Sequence, residues 1–489
     1  MPDRRFDWSL IVLAIAVRAA AVLVLQSHTV PRSTYEHGEI AANLLAGRGF
    51  SVRFLGSEGP TSQQAPLYPA LVAGAYAIGG VGTPRALLVL ELGQAALGGL
   101  LVAAVLRLAR EVAPERRRLA GLSGLMVALH PTLVYAATHV QVALLGATLM
   151  TATLAWAYRA GRTGRDRDAM VTGLSLAALT MTDPILALAA AGVTWAVVLG
   201  QGRRRALRPL AIVALASAMG VAPWVARNSW VHGELVGIKS TFGYAFWQGN
   251  CLLSQGTDKV VRASVERALN EDEGRGGLRG LNRALWNARH EAGYIDDIAL
   301  TAGDYRELAS VSEPERSRRL FRRACEDIRA EPGRYVRLCG RRLRYFVLFD
   351  ETNPKTRNLV YRASHLALTI LAAMGWCLAG KELRRRLWPT ALAAVLVAAF
   401  HALTIVSARF HVPLEPLMAI WAAAGVSRLV AAQPRLLTTS KASASTSGLE
   451  PHGALSLIHS RAARWRFASI EPLTTPARPT IPAESQISS

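Results

Sequence analysis

Ten stretches of this chain have the apolar character of helices that cross a hydrocarbon layer, and that pattern limits the fold before any motif is read. A spanning helix needs about 20 apolar residues. The first stretch, 8–26 (WSLIVLAIAVRAAAVLVLQ), follows Arg4 and Arg5 and shows no small-residue cleavage site, so it reads as a retained helix. The others are 84–109, 119–137, 139–159, 169–182, 183–200, 209–227, 358–379, 387–407 and 411–431, several of them short for a full crossing. Hydrophobic residues make up 51% of the chain and charged ones 18%, where a soluble domain carries about 25% charged. These features exclude a soluble enzyme, a disordered chain and a disulfide scaffold. The expected fold class is an all-α polytopic membrane protein, a bundle of about ten transmembrane helices by this reading.

A formal charge of +22 would suggest nucleic acid in a soluble protein, yet only five of the 56 basic residues are lysine. The arginines cluster at 116–118, 159–168, 203–205 and 384–386, in short loops between apolar spans. The positive-inside rule puts such loops in the cytoplasm, so a membrane explains the charge and nucleic acid is not needed. Segment 66–80 (PLYPALVAGAYAIGG) would put the 116–118 cluster outside if it crossed, so it is expected to be an interfacial or re-entrant helix. Parity then gives ten spans with both termini inside, in the cytoplasmic (inner) membrane.

The expected organisation is an N-terminal membrane core over 1–250, with its first external loop at 27–83. An external, mostly helical segment over 251–357 follows, with helical runs near 262–272 and 313–346 broken at Glu331-Pro332-Gly333. C-terminal membrane helices occupy 358–433. The tail 434–489, rich in Ser, Thr, Pro and Ala, reads as disordered and cytoplasmic. No internal repeat is visible. Of the four cysteines, Cys251, Cys325 and Cys339 fall in the polar segment, where one disulfide is possible, and Cys377 lies in a span. No C-x-x-C spacing occurs.

In the first loop, STYEHGEIAANLLAGRGFS (33–51) places Ile40, Ala41, Leu44 and Leu45 on one helical face and Glu36, Glu39 and Asn43 on the other. Gly47 stands where a left-handed cap belongs. Glu36, Glu39 and Glu58 are the carboxylates of this loop. They are either a solvated face or the source of a general base beside a membrane-level site.

YEHGEIAANLLAGRGFSVRF followed by GPTSQQAPLYPALVAGAYAIGG resembles the first external loop of C-type (GT-C fold) glycosyltransferases. It is most similar to bacterial relatives of glycosyltransferase family 39, which includes protein O-mannosyltransferases and lipid A aminoarabinose transferases. Segments 221–250 (VAPWVARNSWVHGELVGIKSTFGYAFWQGN), 173–188 (GLSLAALTMTDPILAL) and 407–425 (SARFHVPLEPLMAIWAAAG) extend the resemblance over most of 8–430, thinly within 251–350. It implies transfer of a sugar from a polyprenyl-phosphate carrier to a lipid, glycan or protein acceptor of the cell envelope, generally with inversion. It also implies a catalytic acidic residue in the first external loop, here Glu36, with Glu39 as rival. An Asp-x-Asp pair is missing, which weakens any inference of a bound divalent metal; no cofactor and no metal ligands are assigned.

Other residues carry two readings each. Arg409 and His411 sit at the mouth between the last two spans, where Arg409 either holds a departing phosphate or snorkels to the interface. Arg227 follows Pro223-Trp224 and is an interfacial anchor, a second phosphate ligand or a loop-positioning group. Asp183 precedes Pro184 as a helix cap or a substrate contact. Arg18 and Glu91 lie inside spans and are expected to pair with each other. His130 and His139 have no histidine at metal-ligand spacing on the same face. Lys239, Tyr244 and Asn250 open the external segment and are candidates for an acceptor entrance. A transporter or flippase of a lipid-linked substrate, and a catalytically inactive GT-C-like scaffold, remain as alternatives.

Overall fold

The computed structural model describes residues 4–30, 34–260, 277–291 and 293–428. The helical run expected at 262–272 and the tail 434–489 lie outside the described residues. The first span forms α1 (Arg4–Leu25). The loop after it holds α2 (Tyr35–Leu45), strands β1 (Ser51–Phe54) and β2 (Ser57–Pro60), and α3 (Leu67–Gly79). Next come α4 (Pro84–Val112), α5 (Arg117–Leu129), the short α6 (Pro131–Ala136), α7 (Ala143–Thr163) and α8 (Asp166–Thr180). They are followed by α9 (Ala189–Gln201), α10 (Arg203–His232) and α11 (Phe242–Asn250). Helices Glu313–Ala330 and Pro332–Val347 meet at Glu331, where the sequence places a break. The last three long helices are Leu359–Leu378, Lys381–Leu403 and 415–428.

The fold is all-α and polytopic, built as a membrane protein. Among the described residues five helical segments are long and apolar enough to cross a membrane: Arg5–Thr29, Pro84–Val112, Pro184–Gln201, Arg203–His232 and Lys381–Leu403. Trp8, Leu100, Leu207, Leu215, Met219 and Val395 point outward from these helices, as lipid contact requires. Inside, α4 and α7 pack around Leu101, Val105, Leu108, Leu144, Met150 and Leu154. Helix α3 has 13 residues, a rise of about 20 Å against a hydrocarbon thickness of roughly 30 Å. It packs on α2 and α4 instead, and its Tyr68 hydroxyl donates to Gln94 of α4 (2.9 Å).

Caps explain where several helices begin. Thr83 accepts from the Ala86 amide (3.1 Å) with Pro84 in the first turn of α4. Asn358 accepts from the Val360 amide (2.9 Å) at the start of Leu359–Leu378. The arginine-rich connections gather at one end of the bundle, joined by Arg110–Asp7, Arg162–Glu111 (2.9 Å), Arg208–Asp166 (2.6 Å) and Arg386–Glu115 (3.2 Å). The opposite end carries the 27–83 loop.

The hairpin in that loop is a feature the sequence reading did not contain. Val52 faces Gly59 in an antiparallel register. Leu55 (φ 47°) and Gly56 (φ 80°) make the two-residue turn with both φ values positive, the arrangement that matches strand twist.

Arg18 departs from expectation. Its guanidinium is buried and donates to the carbonyls of Ala14 (3.1 Å), Val127 (3.0 Å) and Ala128 (3.0 Å) rather than to Glu91. The C-terminal carbonyls of α5 offer a negative dipole end to this cation, so no carboxylate is required. Glu91 faces His28 at 3.4 Å.

Helix Leu359–Leu378 lies against 415–428 through Gly375 and Gly425. A Cβ on Gly375 would sit 1.9 Å from the Trp421 carbonyl oxygen, and one on Gly425 2.6 Å from the Gly375 Cα. Backbone meets backbone there, so no rotamer change relieves an added methyl. Gly375→Ala is expected to destabilise by about 1–3 kcal/mol or more, read as a lower melting temperature in detergent. Gly93→Ala, where nothing lies within 4 Å, should leave the melting temperature unchanged.

Candidate active site at the loop end of the bundle

Two groups tie the 27–83 loop to the helices. Arg227, near the end of α10, donates to the carbonyls of Thr61 and Phe50 (3.0 Å to the latter) and stacks on Trp224 at 5.0 Å. Of its expected roles, loop positioning is the one its contacts describe. Glu313 opens helix Glu313–Ala330 and is buried, and its carboxylate accepts from the Ser62 amide (2.9 Å), the Ser62 hydroxyl (3.1 Å), Thr61 and Ser240. Arg316, one turn on, donates to the Phe54 carbonyl (2.6 Å). Glu313→Ala would leave several buried donors unsatisfied, a cost of about 3 kcal/mol. The expected readout is a lower melting temperature with faster amide exchange confined first to residues 50–64.

The polar arc of α2 divides on folding. Asn43 is buried against the hairpin, donating to the Ser51 carbonyl (2.8 Å) and accepting from Arg48 (3.0 Å). Glu39 is exposed and accepts from the Arg53 amide (2.7 Å), which pins β1 to α2. Glu58 is exposed and pairs with Arg53 (2.8 Å). Glu36 alone of the three is half-buried, receiving Gln63 Nε2 at 3.4 Å. Tyr35 just before it holds φ 54°, a left-handed conformation that costs a tyrosine roughly 1–2 kcal/mol.

Lys239 and Tyr244 stand near Glu36, and Asp183 and Arg409 act on the same lysine. The Lys239 ammonium donates to Gln64 Oε1 (3.0 Å) and lies in the field of Asp183, Glu36 and Arg409. Burial holds its pKa below the usual lysine value, opposed by Asp183 and Glu36. Asp183 accepts from the Ile185 amide (3.1 Å) as the cap of Pro184–Leu188, so it serves the helix and still faces the cluster. Tyr244 is also near Glu36, and burial raises its phenol well above the usual value. Asn250 is turned to the Thr404 carbonyl and Arg342, in the packing of the polar helices.

His37 packs edge-on against Tyr68 at 4.9 Å, and its pKa is pushed down to about 3, first by burial and then by Lys239 and Arg409. It is neutral at physiological pH. Between its unfolded value near 6.5 and about 3, the unfolded chain binds a proton that the folded chain refuses. Acidification through that window therefore lowers stability. A His37→Gln variant should show a flatter dependence of melting temperature on pH between 6.5 and 4.

Arg409 lies in the turn before 415–428, beside Phe410 (5.4 Å from guanidinium to ring). Among the described residues no carboxylate or carbonyl is bonded to it. It borders a cavity of about 470 Å³ walled by Ala20, Val24 and Leu25 of α1 and by Leu278, Leu281 and Leu285 of helix Gly277–Glu291. Lys259, Lys355 and Asp258 also line this largely apolar cavity, so its wall carries three cations and one carboxylate. His411 is buried; its Nε2 faces the Tyr361 hydroxyl at 2.9 Å and its Nδ1 faces Glu415 at 3.1 Å. All four cysteines are free.

No protein-family model matches the chain, and no curated protein does. Solved structures do. The apo oligosaccharyltransferase of Archaeoglobus fulgidus superposes with a TM-score of 0.50 at 14% identity, over 92% of this chain and 53% of its own. The fold is that of the GT-C membrane glycosyltransferases. The chain spans about half the length of that structure. The same organism's AglB, in complex with an inhibitory peptide and a dolichol-phosphate, matches at 14% identity with a TM-score of 0.49, covering 91% and 52% of the two chains. ArnT from Cupriavidus metallidurans, bound to undecaprenyl phosphate, matches at 14% identity with a TM-score of 0.39, covering 91% and 80%.

Sequence reasoning missed Glu313, Gln63 and the cations Lys259 and Lys355. Glu313-Pro314 at a helix start was the available signal for the first. Gln63 belongs to a loop, and Lys259 and Lys355 to a two-residue strand and a single 3-10 turn, all too short for spacing to carry a period.

Proposed function

We propose that this protein is an integral membrane glycosyltransferase that moves a sugar from a polyprenyl-phosphate-linked donor to an envelope acceptor on the outer face of the cytoplasmic membrane, as family 39 enzymes do. The observation that carries this reading is an apolar slot bordered by Arg409, with Lys239 in the field of both Arg409 and the loop carboxylate Glu36. The slot suits a lipid tail and the cations suit its phosphate. With the arginine-rich end in the cytoplasm, the 27–83 loop and the site face outward.

In this mechanism an acceptor hydroxyl attacks the anomeric carbon from the side opposite the phosphate. Glu36 takes the hydroxyl proton as the new C–O bond forms. The bond from the anomeric carbon to phosphate oxygen breaks, and that oxygen leaves with the electron pair on polyprenyl phosphate. Arg409 and Lys239 stabilise the charge that grows there. The configuration at carbon inverts. Glu39, held by the hairpin, takes no part; Arg227, Glu313 and Asp183 keep the loop and the following turn in place.

The test offers a panel of polyprenyl-phosphate sugars to the protein in nanodiscs and follows release of free polyprenyl phosphate. Turnover of at least one donor supports the reading. A protein that binds the donors and releases no phosphate from any of them would be a carrier or a scaffold.

A further inference from the structure

Behind the Arg409 turn, a fully buried carboxylate is surrounded by imidazoles. Glu415 begins helix 415–428, His411 lies one turn before it, His365 comes from Leu359–Leu378, and His130 from the junction of α5 and α6. His411 Nδ1 and His365 Nδ1 are 3.1 and 3.8 Å from Glu415 Oε1, and His130 Nε2 is 3.4 Å from Oε2. Despite these distances, none of the five atoms makes a hydrogen bond. Glu415, His365 and His411 are at most 3% exposed, so bulk solvent does not reach them.

The outer side of each ring decides what the inner side presents. His365 Nε2 faces the Val347 carbonyl at 3.0 Å and must donate to it, which in a neutral ring leaves a lone pair on Nδ1. His411 Nε2 faces the Tyr361 hydroxyl at 2.9 Å, a contact that can fix its ring in the same way. Lone pairs directed at a carboxylate repel each other unless a proton or a metal ion lies between them, and the poor hydrogen-bond geometry at all five atoms favours the larger ion. Nδ1 of His365, Nδ1 of His411 and Oε1 of Glu415 all fall within 4.8 Å of one another. In a tetrahedral site with metal–ligand bonds of about 2.0–2.1 Å, ligand atoms stand about 3.3 Å apart. The 3.1 and 3.8 Å separations bracket that edge.

We infer that His365, His411 and Glu415 form a structural site for a divalent transition metal, with zinc the ion that suits two imidazoles and one carboxylate. His130 Nε2 faces the second carboxylate oxygen at 3.4 Å, and Val347 and Tyr361 orient the two ligating rings. The bound ion would lock the turn that carries Arg409 onto helix Leu359–Leu378. This centre is separate from the Glu36 cluster and does not depend on the proposed transfer reaction.

The test uses untagged full-length protein, purified with zinc present and gel-filtered through a metal-free buffer. Metal analysis is expected to find about one zinc per chain, falling to background in the His365→Ala, Glu415→Gln double variant. Should that variant fail to fold, the wild-type protein decides: exchange into cobalt(II) should give visible d–d bands of a protein-bound ion that are absent from free cobalt in the same buffer. Wild-type protein at background zinc without those bands overturns the site. So does a folded double variant that keeps its zinc.

Discussion

Glu36→Gln is expected to lower the turnover number for polyprenyl-phosphate sugar by about 10²–10⁴-fold, or roughly 3–5 kcal/mol of transition-state stabilisation. Glutamine keeps the volume and can still accept from Gln63, so the donor KM and the melting temperature should stay close to wild type. Loss of kcat without loss of binding is the mark of a group that acts only as the acceptor hydroxyl attacks. Glu39→Gln is the matched control on the same helix. Its carboxylate is occupied by the Arg53 amide, so its substitution should cost about 1 kcal/mol of stability and little turnover. A purified, folded Glu36→Gln enzyme with full transfer would remove Glu36 from the mechanism. Loss in Glu39→Gln alone would place the base one helical turn further along.

Arg409→Ala should have the second largest effect, a fall of about 10²–10³-fold in kcat/KM. The same variant should bind the product, polyprenyl phosphate, about tenfold or more weakly, since a charged hydrogen bond contributes about 1.5–3 kcal/mol. Arg409→Lys should recover part of the affinity, because it restores the charge without the two-pronged geometry. An interfacial anchor would behave otherwise: Arg409→Ala would then lower the melting temperature and leave affinity for polyprenyl phosphate untouched. Measuring product affinity directly, by displacement of a fluorescent lipid phosphate in detergent, separates the two.

Glu36 shows how far a local pattern reaches. Helical spacing grouped it with Glu39 and Asn43 because a 100° step puts them on one arc. Spacing cannot say what that arc meets. In the folded chain the hairpin buries Asn43 and engages the exposed Glu39 through the Arg53 amide, while Glu36 lies in the field of Lys239. Arg18 teaches the same lesson within a span. The cost of burying it was legible from its apolar neighbours, and a partner was required. The partner turned out to be the carbonyl end of α5, which no count of acidic residues would single out.

The sequence by itself determined the all-α membrane class, the break near Glu331 and the short helix at Leu67–Gly79. Those follow from interactions that repeat along the chain: hydrocarbon admits backbone only with its hydrogen bonds closed inside a helix, and helix length and apolar period record it. The tertiary structure alone decided which loop carboxylate reaches Lys239, what satisfies Arg18, and that His130 and His365 join His411 at Glu415. Apart from His411 and Glu415, one helical turn apart, these are meetings of residues tens to hundreds of positions apart. Their distances are set by which helices pack together, and side-chain electrostatics at 3–4 Å depends on that packing rather than on order in the chain.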